Sequence, residues 1–338
     1  MAITIKDVAR EAKVSIATVS HVINNSRYVS DDLRSRVSEA IKLLGYQPNP
    51  WGRSLRKDQS DMIALVLPDQ SNMFFHKIAR GVEEQARMHG YSLLYCNTNE
   101  EPELEKFYIG LFAQKRADGF IVASTEDGAT NLRELASTDV PLVLVDRKLD
   151  GLRVSQVVSD NEEGGFQAMA HLLQLGHKRI GILSGLADLS TTRERLLGIE
   201  RALSAFSLPL NPELIASGFS ETEESYAAAE FLVTKQKISA LFCTNNKMTI
   251  GALSYITKAG IKYPEELSVV GYDDSEWATL VTPRLTLVEQ KPYEMGYQAG
   301  QILFEQLASS QGTPAPKTLS LPTQLIIRES TSIPRMGT

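Results

Sequence analysis

Cysteine is scarce in this chain of 338 residues: there are two, Cys96 and Cys243, each inside an apolar run. They make neither a metal-ligand spacing nor a disulfide framework, so buried reduced thiols are the default. Histidine is also sparse, with five residues and no cluster, and no bound metal is expected. No apolar run approaches the roughly 20 residues needed to span a bilayer. Met1 opens onto a polar helical stretch rather than an apolar leader, which argues against export. Neither a G-x-x-x-x-G-K loop nor a G-x-G-x-x-G opening a helix is present, so enzymes built on those phosphate cradles are set aside and no cofactor is expected. Asp146 and Asp273 could pose as a catalytic carboxylate pair, but hydroxyl recognition beside Arg147 explains them better.

Charge is plentiful but unevenly placed. The net charge is −6, which taken whole argues against a nucleic-acid partner. Residues 1–58, however, hold ten Lys and Arg against six Asp and Glu, a balance of +4 that leaves −10 for the remainder. A basic end on an acidic body suits a protein that touches DNA by that end alone.

Within the basic end, Ile5, Val8, Ala9 and Ala12 share one helical face. Thr4 sits at the cap position with Asp7 three residues on. Lys13-Val14 leaves room only for a tight turn, Ser15 is a second cap, and Val19, Val22 and Ile23 form the inward face of a second helix. Ile16, Ala17, Ser20 and His21 then point outward toward base edges, and Ser15 and Thr18 can reach phosphates. A third helix starts after Ser30, carries Leu33, Val37, Ile41 and Leu44 at helical spacing, and ends at Gly45.

The run Thr4-Ile5-Lys6-Asp7-Val8-Ala9, followed by Val14-Ser15, Thr18-Val19-Ser20 and Val22-Ile23-Asn24, resembles the headpiece of the LacI/GalR family of bacterial transcription regulators. The resemblance implies DNA contacts from Thr4, Ser15, Ile16, Ala17, Thr18, Ser20, His21 and Asn24. It also implies that the short basic segment Trp51–Lys57, otherwise readable as a plain linker, is a hinge helix that folds against DNA. Arg53 and Arg56 would contact the duplex there, and Leu55 would enter a minor-groove base step beside its dimer mate. Gly52 stands where the family usually has alanine, which lowers helix propensity by about 0.5–1 kcal/mol.

From Met62 onward, short apolar runs alternate with amphipathic helices, first over residues 63–67, 92–96, 119–122 and 142–145, and again over residues 179–183, 240–243 and 267–272. Near-continuous apolar strands between helices imply parallel sheets covered on both faces. The expected fold is therefore an α/β core of two doubly wound parallel-sheet lobes with an N-terminal all-α helix-turn-helix headpiece. The core resembles periplasmic sugar-binding proteins, and that resemblance puts the lobe crossings near Asp160, Gln290 and Leu321. The expected divisions are a headpiece over residues 1–46, a hinge over 47–58 and a core over 59–338; lobe one takes about 61–160 plus 291–320, and lobe two about 161–289 plus 321–333.

Ligands of such sheets bind beyond the carboxyl ends of the strands, where Asn72, Phe74, Phe75, Asp146, Arg147, Arg195, Phe219, Asn245, Asp273 and Gln290 fall. Aromatic faces cover sugar C–H surfaces, while carboxylates, amides and guanidinium groups satisfy hydroxyls. The set also resembles, position by position, the ligand shell of ribose-binding proteins. Plainer readings exist for individual members: Phe75 or Phe219 as core, Arg195 as an exposed helix arginine, Asp273 as a helix cap; His76, outside the set, reads as helix surface or pocket lining. Asn246, followed by Lys247, stands where the family usually has an acidic residue after the pocket asparagine, and Lys291 follows Gln290; the two lysines read as solvated or as an ammonium favouring an acidic or phosphorylated sugar.

The functional expectation is a cytoplasmic repressor of palindromic double-stranded operator DNA, homodimeric or tetrameric, with no membrane partner. Ribose or a related monosaccharide would be its inducer. The alternatives are a phosphorylated or acidic sugar, a ligand acting as corepressor, a sugar-transport binding protein and a sugar-metabolising enzyme.

Overall fold

The computed structural model describes residues 3–24, 27–46, 60–309 and 314–335. The chain divides into two compact units, residues 1–60 and 61–338.

In the first unit, helices α1 (Ile5–Ala12), α2 (Ile16–Asn24) and α3 (Asp31–Leu44) close around Val8, Ala9, Ala12, Val19, Val37 and Ala40. The Asp7 carboxylate accepts from the Thr4 N–H at 2.9 Å and from its hydroxyl at 2.7 Å, which ties down the start of α1. Lys13 takes a left-handed conformation (φ +51°) and ends that helix. Ser15 Oγ then accepts from the Thr18 N–H at 3.0 Å and starts α2. Arg36 of α3 donates to the Ala12 and Lys13 carbonyls at 2.7 and 3.1 Å, satisfying acceptors that the end of α1 leaves open.

The second unit holds two sheets of six strands. The first contains β1 (Met62–Leu67), β2 (Ser92–Asn97), β3 (Gly119–Val122), β4 (Leu142–Val145), β5 (Ser155–Ser159) and β11 (Thr318–Leu321), in the order β11-β5-β4-β3-β1-β2. The second contains β6 (Ile180–Ser184), β7 (Ile215–Ser217), β8 (Ala240–Cys243), β9 (Ser268–Tyr272), β10 (Thr286–Glu289) and β12 (Gln324–Ile326), in the order β12-β10-β9-β8-β6-β7. All neighbours are parallel except β10 and β12, so one antiparallel edge strand modifies the parallel expectation. Alternation along β1 explains the two-sided covering. Ile63, Leu65 and Leu67 pack under α4 (Met73–Met88) and α11 (Pro292–Leu307), whereas Ala64 and Val66 pack under α5 (Pro102–Gln114) and α6 (Gly128–Ala136).

Lobe two repeats the scheme. Helices α7 (Asn161–Gln174) and α8 (Ser190–Ala205) lie on one face, α9 (Thr222–Thr234) and α10 (Asn246–Lys258) on the other. The chain passes between lobes at Asp160, at Gln290–Lys291 and at Pro322–Thr323. Thr323 Oγ1 donates to the Asp160 carbonyl at 3.0 Å, so two of these passages are tied together.

Candidate functional site

In both sheets the strand order reverses beside the first strand of the lobe, which opens a crevice at the carboxyl ends. The two crevices face one another across a shared cavity that encloses about 580 Å³ including its open mouth. Asn72, Phe74, Phe75, Asp146, Arg147, Arg195, Asn245, Asp273 and Gln290 all line it.

Asp146 follows β4 and Asp273 follows β9, equivalent positions in the two lobes. Both are left-handed, at φ +68°, a conformation that Asp tolerates better than most residues. Each hooks its N–H onto the neighbouring strand, Asp146 onto Val157 and Asp273 onto Val288, both at 2.9 Å. Burial is the main reason both carboxyls titrate high; that of Asp146 is pushed up to about 6 even though Arg147 and Arg195 pull it down.

Arg147 is buried and donates through two nitrogens to Glu100, at 2.8 and 2.5 Å, and to the Ser124 carbonyl at 2.6 Å. Burial works against its charge, and the Glu100 carboxylate outweighs it. Behind this pair Glu105 is fully buried, accepting from Ser124 Oγ at 2.8 Å and from the Thr125 N–H at 2.7 Å, which holds the loop after β3 in place. Across the cleft Arg195 is buried rather than an exposed helix arginine. It donates to Asn161 Oδ1 at 2.9 Å and to the Thr244 carbonyl at 2.6 Å, with its guanidinium 3.9 Å above the Tyr272 ring.

Asn72 and Asn245 have a second duty as helix caps, accepting from the Phe74 and Met248 N–H groups at 2.9 and 2.7 Å. Asp273 accepts from Gln290 Nε2. Among the described residues, three buried polar atoms of lining residues make no hydrogen bond: Asp146 Oδ1, Arg147 Nε and Gln290 Oε1.

Phe219 does not join this set. Its side chain is 55% exposed, and left-handed turns at Phe219 and Ser220 bring Ser220 and Glu221 to the cavity instead. Neither sequence-based reading of Lys247 holds in full. Its ammonium reaches the cleft but is shared between Asp69 at 3.0 Å and Glu221 at 2.5 Å. Lys291 is half exposed and lies 3.9 Å from Glu294, and His76 is exposed on α4. Glu100, Asp69, Asn161, Tyr272 and Glu221 were not legible as site residues. Each is drawn to the site by a partner far away in sequence, as Asp69 and Glu221 are by Lys247.

In the headpiece, Ile16 is 39% exposed and Ala17 is exposed on the outer face of α2. Thr18, Ser20 and His21 are half-buried beside them, while Thr4 and Ser15 are exposed. The side chain of Asn24, and Arg53, Leu55 and Arg56 with the whole hinge over 47–58, lie outside the described residues. Among the described residues no helix is long and apolar enough to cross a membrane, and no group of three or more His, Cys, Asp and Glu could hold a metal. Cys96 and Cys243 are buried free thiols, and burial pushes that of Cys96 up to about 12.

Residues 4–49 match the bacterial regulatory proteins of the lacI family, and residues 60–329 match the periplasmic binding proteins and sugar binding domain of the LacI family. The chain belongs to the LacI family. A LacI-family relative, the HTH-type transcriptional repressor PurR of Haemophilus influenzae (strain PittEE), is 37% identical over 331 residues, covering 97% of this chain and 98% of that protein. Among LacI-type structures, the transcriptional regulator CelR–cellobiose complex is 31% identical with a TM-score of 0.72, covering 97% of this chain and 99% of that one. A putative ribose operon repressor from Burkholderia thailandensis is 32% identical with a TM-score of 0.72, covering 79% and 99%. This LacI-family chain is a DNA-binding transcriptional repressor; its relatives are repressors, not enzymes. Repressors of the LacI family bind operator DNA and small-molecule effectors, typically as dimers.

Proposed function

We propose that this repressor senses ribose or a closely related monosaccharide in the interlobe cleft and that the sugar acts as inducer. The supporting observation is that Asp146 Oδ1, Arg147 Nε and Gln290 Oε1 are buried without a hydrogen bond among the described residues and belong to side chains lining one cavity beside Phe74 and Phe75, Arg147 Nε having only a longer, 3.6 Å ion pair to Asp146. Unpaired buried polar groups cost about 1–3 kcal/mol each, and a ring bearing several hydroxyls answers all three while its C–H face meets the phenyl rings. The sugar-related names of two structural neighbours point the same way. A ligand held from both lobes favours the closed arrangement and shifts the population toward it. The repressor then works in the cytoplasm as a homodimer or tetramer on palindromic operator DNA, the hinge leucine Leu55 entering the minor groove. Thermal unfolding measured with pentoses, hexoses and purine bases tests the ligand class. At 100 times its Kd the right ligand adds about 2.7 kcal/mol, and stabilisation by a purine base alone would overturn the sugar reading.

Acidity supplies a second check. Asp146 binds its proton more tightly in the folded chain, near 6, than in the unfolded chain, near 3.8. Its contribution to stability is therefore full below about pH 4, declines as pH rises through 6 and is then flat, spanning on the order of 3 kcal/mol. Ligand binding runs the other way, because a sugar hydroxyl donates to the ionised carboxylate and drives the proton off. Calorimetric titration should show affinity rising about tenfold from pH 5 to pH 7, and Asp146→Asn should flatten the profile.

For DNA, the outer face of α2 reads bases. Substituting Ile16, Ala17 or His21 should change which operator bases are selected from a random pool, at roughly 1–3 kcal/mol per lost contact. Neutralising Arg53 or Arg56 should weaken all sequences evenly. An unchanged selection profile in the three α2 variants would mean that another surface reads the operator.

A further inference from the structure

We infer that the cleft admits an uncharged polyhydroxylated ligand and turns away its phosphate ester, and that the pairing of Lys247 decides this. The inference rests on the sugar reading and deepens it. Among the described residues, five carboxylates line the cavity, those of Asp69, Glu100, Asp146, Glu221 and Asp273, against three cations. The cations are already engaged. Arg147 is held by Glu100 through two nitrogens, and Arg195 is committed to Asn161 Oδ1, the Thr244 carbonyl and the Tyr272 ring. Lys247, the remaining lysine at the cavity, has Asp69 of lobe one at 3.0 Å and Glu221 of lobe two at 2.5 Å.

An ammonium between two carboxylates is a site of net negative charge. A phosphate arriving there meets like charge and must displace a carboxylate to gain a partner, a repulsion that a neutral hydroxyl does not meet. The same pairing bridges the lobes. Asn246 strengthens the bridge by donating from Nδ2 to Asn72 Oδ1 at 2.8 Å, so that two consecutive residues of α10 hold the loop after β1. Removing Lys247 from its carboxylates would therefore open the rim as well as change its charge. The informative variant is one that keeps an acceptor in place: Asp69→Asn with Glu221→Gln.

Calorimetry with the full chain would compare D-ribose, D-ribose 5-phosphate and 5-O-methyl-D-ribose, the last carrying a neutral group on the same oxygen. In the wild type, ribose should bind, and the phosphate should bind at least roughly tenfold more weakly than the methyl ether. In the double variant the ratio of phosphate affinity to methyl-ether affinity should rise roughly tenfold or more, whatever the common change in sugar affinity. A wild type that binds the phosphate as well as the methyl ether or better overturns the inference and leaves the sugar reading standing. A double variant with no gain overturns the role of Lys247. Binding of none of the three overturns the ribose reading and this inference together.

Discussion

Arg147→Ala should cost about 3 kcal/mol of stability and also abolish most effector binding. The guanidinium is buried, neutralises Glu100 through two hydrogen bonds and donates a third to the Ser124 carbonyl. Removing it leaves the Glu100 and Asp146 carboxylates, on the same side of the cleft, without the cation both are paired with. Breaking a buried ion pair from one side generally costs about 3–5 kcal/mol, and the lower end applies because Glu100 keeps some water contact. Effector affinity should fall by a further 10- to 100-fold, corresponding to about 1–3 kcal/mol for lost hydrogen bonds. Arg147→Lys keeps the charge but not the two-pronged geometry, so it should recover most of the stability and little of the affinity. Urea denaturation followed by calorimetric titration separates the two effects. Wild-type stability in Arg147→Ala would mean that the Glu100 pair is idle.

Gly198→Ala should destabilise the chain by about 3 kcal/mol even though alanine is the better helix former. Helices α7 and α8 cross so closely that a Cβ at Gly198 would lie 1.9 Å from the Glu162 carbonyl oxygen and 2.8 Å from the Phe166 nitrogen. At Gly165, on the facing helix, a Cβ would lie 2.3 Å from the carbonyl oxygen of Arg195 itself. Neither obstacle is a side chain that can swing aside, so α8 must move, and it carries Arg195 away from Asn161 and Tyr272. Loss of effector affinity should accompany the loss of stability. Gly110→Ala is the matched control, since it lies on the exposed face of α5 with nothing within 4 Å. That change should stabilise by about 0.5–1 kcal/mol. Equal and small effects from both substitutions, measured by thermal and urea unfolding, would contradict the close crossing of α7 and α8.

These residues also mark what could be read without coordinates. The headpiece helices and the central strands of both lobes are local: apolar period, a Thr4–Asp7 cap and a Gly45 terminus suffice to find them. Strands β7 and β12 are not, because three residues at a sheet edge carry no period of their own. The same contrast separates the two arginines of the cleft. Arg147 follows an apolar strand and an aspartate, a recognisable position. Arg195 sits mid-helix, where a buried arginine and an exposed one look alike until Tyr272 is seen beneath it. Lys247 shows the limit most clearly: its residue type suggested attraction for an anion, and its two carboxylate neighbours, 178 and 26 positions away in the chain, reverse the sign.

The most direct test of a cleft sensor coupled to DNA is the affinity of the full chain for an operator selected from a random pool, measured by fluorescence anisotropy at fixed salt with and without D-ribose. The wild type should lose at least roughly tenfold in operator affinity when saturated with sugar, a coupling of about 1.4 kcal/mol. Asp273→Asn, which replaces a lobe-two carboxylate at the cavity, should bind the operator as the wild type does and ignore the same sugar concentration. Equal sensitivity to ribose in the wild type and in Asp273→Asn would contradict the account.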